Sequence, residues 1–370
     1  MKVICDRAAL QDAVNIVSSV VVNRTPTPVL QCVKLVAKDG IMMLAATDLD
    51  VGLRMGVDQV EVQDEGEALL PADKLKQIVH ACDDPTLTLE TEQHTTHIRG
   101  ANSHFKVYGY DPAEAPEIRT FEDIAVDCTL ESGAFQRLIN RTLFAAAAEH
   151  SRYAINGVLM DRTKRGMRLV ATDGRRLAIA SGDCETGDGE RRCIVPTKAL
   201  NLINRLVNNP DSVVQIAVED NQIIFKVGEG PDAAILSSNL VEGAFPPFED
   251  VIPKDQDKRG TFASTDLTSA IRRAALLTNE ESRGVRMSFA DNKLTLTSRA
   301  PEMGEAEIQL DAEKYDGDPL EIGFNPGYLT DALKVVDEPH VMIELKAPNK
   351  PGVIKTGTNF TYVIMPVNLQ

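Results

Sequence analysis

The feature that most constrains this chain is a period of 125 residues that brings the same local patterns back twice. Residues 167–180, MRLVATDGRRLAIA, read as a β-hairpin, because two runs rich in Leu, Val, Ile and Ala meet at Asp173-Gly174, a pair suited to a tight turn. An earlier counterpart, MMLAATDLDVGLRM, and a later one, KLTLTSRAPEMGEAEIQL, place Asp48 and Ser298 each 125 residues from Asp173. Pro71 and Pro196 keep the same spacing and open ADKLKQIVHAC and TKALNLINRLV as amphipathic helices, with Asn325-Pro326 opening a third version, GYLTDALKVV. Near the start of each unit lies another helical stretch, and Leu10, Phe135 and Leu267 hold matching core positions in it.

A unit of this length can bury its own core, so 370 residues imply three tandem similar domains. Two Pro-rich acidic linkers, DPAEAPEIRTFEDIAVD and EGAFPPFEDVIPKDQDKRG, share Phe-Glu-Asp at Phe121 and Phe248 and set boundaries near Ala125 and Pro253. The domains expected are therefore 1–124, 125–252 and 253–370. In the first, strands are expected over 1–5, 30–37, 41–47, 51–57, 86–90, 94–99 and 104–110, with helices after the first strand and after Pro71. Two helices among many short strands make an α+β fold in which helices cover one face of antiparallel sheets. Each domain reads as a duplicated half.

Hydrophobic residues at 43% and charged residues at 25% are those of a soluble globular protein. No apolar run approaches the length of a membrane span, and MKVICDRAALQD lacks a charged-then-apolar leader, so a cytoplasmic protein without a membrane partner is expected. The six cysteines are scattered with no C-x-x-C pair, which predicts thiols rather than disulfides or a zinc site. A net charge of −16 argues against a uniformly basic surface, yet residues 196–209 carry Lys198 and Arg205 without an acid, and Arg137, Arg141, Arg272 and Arg273 fall on other helical stretches.

Catalytic signatures are sparse. There is no phosphate-cradling G-x-x-x-x-G-K-[ST] loop, and the Gly228-Glu229-Gly230 run leads into a strand-like AILSSNL where a dinucleotide fingerprint needs a helix. His94, His97 and His104 sit in an expected surface hairpin without an acidic or thiolate companion, so no metal is expected. Asp48 and Asp173 occupy equivalent positions and invite a paired-carboxylate reading, but turn formation explains both. With 5% aromatics and no Trp, base stacking on single strands is poorly supported. Neither catalytic residues nor a cofactor is expected.

RYAINGVLM, LVATDGRRLAIA, LVEGAFPPFEDVIP, TNEESRGVRM, IGFNPGYLTDAL and the terminal TYVIMPVNLQ together resemble the bacterial replicative sliding clamps, the β subunits of DNA polymerase III, along the whole chain and in order. The resemblance implies a head-to-tail homodimer of three-domain chains closed around double-stranded DNA, each chain half of the ring, with helices lining the bore and sheets outside. Twelve helices packed at about 10 Å make a circumference of roughly 120 Å. Subtracting helix thickness leaves a bore of roughly 28 Å, wide enough for a duplex without tight contact. Basic residues on bore helices would attract phosphates irrespective of sequence, while the acidic exterior keeps the ring soluble.

By resemblance Arg24, Arg152, Tyr153 and Arg283 are DNA-proximal; helix charge adds Lys198, Arg205, Arg272 and Arg273. The family's partner-peptide pocket maps onto Ile155, Thr172, Gly174, Arg175, Arg176, Leu177, Pro246, Val251, Val363, Met365, Pro366, Val367 and Leu369. It would receive the polymerase III catalytic subunit, the clamp loader and other clamp-binding-motif proteins. Arg175, Asn368 and Gln370 depart from the family's expected residues and bear on peptide preference. Phe105, Val107 and Tyr108 in the first domain and Leu276 and Leu277 in the third are the expected dimer surfaces. Two rival readings are a carboxylate enzyme using Asp48 and Asp173, and a three-domain adaptor that never closes.

Overall fold

The structure is a computed structural model that describes residues 1–22, 24–121, 124–148, 154–164, 166–186, 190–278 and 284–368. Six α-helices are found among them: α1 (Arg7–Val17), α2 (Ala72–Ala81), α3 (Ser132–Asn140), α4 (Thr197–Leu206), α5 (Ser264–Ala275) and α6 (Pro326–Leu333). Each follows a strand and buries one stripe. In α1 the Asp6 side chain caps Ala9 N at 2.9 Å, and Leu10, Ala13, Val14 and Val17 face inward. Leu10, Phe135 and Leu267, expected as equivalent core positions, are all fully buried. Pro71 and Pro196 end strands immediately before α2 and α4, whereas Pro326 begins α6 behind the Asn325 cap. None of the helices among the described residues is long and apolar enough to cross a membrane.

The chain forms two compact units. The first takes Met1–Gln136 and Lys198–Leu240 with the short strand Glu185–Thr186; the second takes the remainder. The repeat is visible in both, but the sheets run across its boundaries, so contact density divides the chain differently from the period.

In the first unit a nine-stranded antiparallel sheet runs Glu185–Thr186, Cys128–Glu131, Val213–Glu219, Gln222–Val227, Ala234–Asn239, Val51–Gly56, Ile41–Thr47, Cys32–Lys38, Gly66–Pro71. Five of its strands come from the second repeat and four from the first; the seam pairs Leu236 with Leu53 and Ser237 with Gly52. A separate five-stranded sheet runs Val60–Asp64, Lys2–Asp6, Thr86–Glu92, Thr95–Arg99, His104–Tyr108.

The second unit repeats the scheme. Its nine-stranded sheet joins four strands of the second repeat (Arg191–Pro196, Gly157–Thr163, Gly166–Thr172, Arg176–Gly182) to five of the third (Phe360–Ile364, Gly352–Thr356, His340–Leu345, Lys258–Ala263, Lys314–Asp316). The seam pairs Leu177 with Val363 and Ala178 with Tyr362. A four-stranded sheet, Gly304–Asp311, Lys293–Ala300, Val285–Ala290, Leu320–Phe324, remains.

Two differences from the sequence reading are local. The strands Val60–Asp64 and Gly66–Pro71 were not expected, since Val60–Asp64 is short, acidic and only half-buried. Arg141 lies beyond the end of α3 and is not a solvated helix residue: it is 9% exposed, donates to Glu338 at 2.8 Å and lies over the Phe360 ring.

Candidate functional site

The hairpin at Asp173 sets the geometry of the second unit's surface. Its tip is a three-residue turn in which only Gly174 is left-handed, at φ 84°, a conformation glycine adopts without cost. Asp173 Oδ1 accepts from Arg175 N at 2.9 Å and Arg176 N at 3.1 Å, closing the turn on its own backbone. Asp48 does the same for Asp50 N and Val51 N in the first repeat. Both carboxylates are turn formers.

Beside this tip lies a cavity of about 550 Å³. Every expected groove residue from Ile155 to Met365 lines it, so the hairpin tip, the linker after Asn239 and the last strand meet there. The cavity also takes Pro247, Phe248, Asp250, Ile252, Pro253, Asp255, Lys350 and Pro351, which the sequence reading did not include. Phe248 could have been found, because it is the aromatic of the repeated Phe-Glu-Asp. Lys350-Pro351 sits in a hairpin loop that carries no such signal. The floor rests on an apolar cluster: Leu177 and Val363, which line the cavity, pack with Leu159, Val170, Ile179, Ile194 and the buried Phe248, and Val241, Phe245 and Ile252 lie against them.

A second concavity of about 820 Å³ adjoins the first and shares Arg175 and Met365 with it. Pro366 and Val367 line this one, opposite Asn325 and Tyr328. Met365 N donates to Arg175 O and Val367 N to Gly323 O, both at 2.9 Å, so the chain end runs between the two hollows as a pinned ridge. Leu369 lies outside the described residues.

Arg176 stands beneath the tip. Its side chain, 10% exposed, donates to Asp173 Oδ2 (3.0 Å), Asp331 Oδ2 (2.8 Å) and Phe144 O (2.7 Å), while its guanidinium covers the Tyr328 ring at 4.4 Å. Burial would favour neutral arginine, but the Asp331 and Asp173 carboxylates outweigh it and hold the guanidinium charged. The neighbouring Tyr362 hydroxyl donates to Tyr328 O at 3.0 Å, and burial raises its pKa.

Three family models cover the chain in order: the DNA polymerase III beta subunit N-terminal domain over residues 1–119, its central domain over 129–247 and its C-terminal domain over 249–368. The chain belongs to the DNA polymerase III beta-subunit family. It is 33% identical over 367 residues to the beta sliding clamp of Pseudomonas putida, covering 98% of each chain, and 31% identical to that of Escherichia coli K12 over the full length of both. Among solved structures, the Pseudomonas aeruginosa sliding clamp bound to griselimycin matches with TM-score 0.90 at 31% identity, and the Bacillus subtilis clamp with TM-score 0.91 at 25%, each over 100% of both chains. The protein is thus a three-domain sliding clamp, a processivity factor and not an enzyme.

In this clamp the residues expected near DNA have different surroundings. Arg24, Arg272 and Arg273 are exposed, the last two in the final turn of α5, where cations suit the helix dipole. Lys198 pairs with Asp48 at 2.5 Å and donates to Val20 O, and Arg205 reaches Asn15 O at 3.4 Å. The helix-charge argument missed that acid because Asp48 belongs to another repeat. Arg152, Tyr153 and Arg283 lie outside the described residues. Of the expected dimer residues, Tyr108 and Leu276 are 70% and 72% exposed, Phe105 and Leu277 are half-buried, and Val107 is buried.

Replacing Arg176 by Ala removes the cation that Asp173 and Asp331 share and leaves Asp331 only the more distant Lys334 Nζ at 3.5 Å. We expect a loss of about 2–3 kcal/mol in denaturant unfolding, at the low end for a broken ion pair because Asp331 stays partly hydrated.

Proposed function

We propose that two copies of this clamp close head to tail around double-stranded DNA, and that the groove beside Gly174 receives a short peptide from each protein the ring tethers. The reading rests on one observation: each nine-stranded sheet combines a five-strand half with a four-strand half, and one half of each kind is left with an open edge. His104–Tyr108 ends the five-stranded sheet and Gly304–Asp311 the four-stranded one. Unpaired edges of this length call for a partner strand, and a second copy supplies the complementary half.

The two internal seams also give the register. Transferred through the equivalent hairpins, the Leu236–Leu53 and Tyr362–Ala178 pairs would both set Phe105 opposite Ala306 of the second copy. Lys106 then faces Glu305, and Val107 faces Gly304. Exposed Lys106 and Glu305 share the outer face, and the exposed Leu276 and half-buried Leu277 add apolar surface near the edge strand, with Leu277 close to Gly304.

Within the ring the repeats are assigned to 1–124, 125–252 and 253–370. Arg24, Arg152, Tyr153, Lys198, Arg205, Arg272, Arg273 and Arg283 are assigned to DNA attraction, which follows phosphate charge and not base sequence. The apolar floor and the two hollows suit an extended peptide whose hydrophobic anchors lie on either side of Met365, with Arg175 favouring an acidic flank. The polymerase III catalytic subunit and the clamp loader are the partners proposed, in the cytoplasm.

Three outcomes are expected. Lys106→Glu should give monomers at micromolar concentration in sedimentation, and Lys106→Glu with Glu305→Lys should restore the dimer; a dimer indifferent to the first change moves the interface elsewhere. Protein loaded by its clamp loader onto circular DNA should stay bound through gel filtration and leave when the DNA is cut, whereas an open adaptor would show no such dependence. Deleting residues 367–370 should abolish binding of a peptide from the polymerase catalytic subunit in calorimetry while dimer mass and melting temperature stay nearly unchanged.

A further inference from the structure

The linker that walls the peptide groove is pinned by a charge network that has no counterpart among the described residues at the same positions of the first repeat. Asp161, 6% exposed, lies in the Gly157–Thr163 strand directly between Arg168 and Arg192 on the two flanking strands. Its Oδ2 accepts from Arg168 Nη2 at 2.5 Å and from Arg192 Nη2 at 3.2 Å. The same two nitrogens donate to Glu249 Oε1, at 3.3 Å and 3.2 Å. Glu249 belongs to the short 3-10 helix Phe248–Val251, and the Arg168 guanidinium sits 5.0 Å over the Phe248 ring. Burial would raise the Asp161 carboxyl, but hydrogen bonds from Arg192 and Arg168 outweigh it and hold the group below the usual carboxylate range, so it stays ionised at neutral pH.

None of the four charged residues lines the groove, whereas Phe248, Asp250 and Val251 do. The first repeat is the control that the fold itself provides. There the row Arg192, Asp161, Arg168 is replaced, 125 residues earlier, by Glu67, Val36 and Met43 in the same cross-strand register. The floor residues Leu159, Leu177 and Ile179 are likewise replaced by Lys34, Gly52 and Arg54, and a cavity of about 820 Å³ remains between that sheet and the linker residues 115–120. That linker is held differently, by Arg119, which pairs with Glu219 and donates to Gln222, so a linker crossing a sheet in this fold does not require this particular network.

We propose that Asp161, Arg168, Arg192 and Glu249 are positioning residues for partner binding: they fix the Phe248–Val251 wall of the groove and so set peptide affinity without touching the peptide. This rests on the groove being the peptide site. Because Glu249 and Arg192 are about half exposed, the clamp they form is screened by salt. Apolar anchoring in the groove is not weakened in that way. Peptide affinity should consequently carry a salt dependence beyond that of Arg175 and an acidic flank, and this part is lost when the network is cut.

The test uses the full-length protein and a fluorescein-labelled peptide from its own polymerase catalytic subunit, titrated by anisotropy from roughly 0.01 M to roughly 1 M NaCl, a range over which the screening length falls about ten-fold. Glu249→Gln and Arg168→Met should each weaken binding roughly three- to five-fold at low salt and flatten the salt dependence. The double variant should be no weaker than the worse single one, since both cut the same network, and Glu249→Asp should recover part of the loss. Wild-type affinity and salt profile in Glu249→Gln would overturn the proposal and leave the groove standing. An affinity loss that merely tracks melting temperature across the variants would also overturn it, by making the network a folding element. No binding by the wild-type protein would remove the groove reading itself, and this proposal with it.

Discussion

Main-chain pairing across repeat boundaries is the interaction on which the rest depends. A helix-covered half-sheet could have ended at a capped edge within each 125-residue unit, but here the edges are long and regular, and backbone groups in a buried or half-buried strand need partners. The seams at Leu236–Leu53 and Ala178–Tyr362 satisfy them by merging a five-strand half with a four-strand half. Three repeats in one chain can make two such seams and must leave one half of each kind over. The proposed closure by a second copy follows from the same accounting of hydrogen bonds, with an apolar row and a charged row already segregated on the two faces of the leftover edges.

What lies on the outer face of each merged sheet decides whether a linker makes a groove or a void. Beneath the second linker, Leu159, Val170, Leu177, Ile179 and Ile194 present a continuous apolar floor that accepts Phe248. Beneath the first, Lys34, Arg54 and Gly52 present charge and an absence of side chain; a Cβ on Gly52 would come within 2.8 Å of Ile118. The same backbone path thus serves two purposes, through side chains that alternate to the outer face of the strands.

Charge in this clamp is used twice over. The formal net charge is −16, yet several of its cations are committed internally: Arg176 to Asp173 and Asp331, Arg141 to Glu338, and Lys198 to Asp48. A buried guanidinium tied by several directional bonds holds a turn in one geometry, which a hydrophobic contact of similar area would not do. Arg24, Arg272 and Arg273 remain exposed.

Much of this architecture was legible in the residues alone. The turn chemistry of Asp173-Gly174 and the stripes through Leu10, Phe135 and Leu267 are local properties, set by sterics and by alternation of polarity within a few residues, and the structure keeps them, whereas Ser298, aligned with Asp173 by the 125-residue period, lies inside a strand paired with Ala306 and not at a hairpin tip. The repeated Phe-Glu-Asp likewise marked both linkers. The sheet seams were not legible, because a strand's edge partner is chosen by distant backbone and leaves no signature in its own side chains. For the same reason the sequence alone read Lys198 as a cation without an acid and Arg141 as a helix residue, and missed Lys350-Pro351 at the groove: each depends on a neighbour brought from another repeat or loop. Local sterics and polarity determined the elements; long-range packing decided which edges, charges and cavities they share.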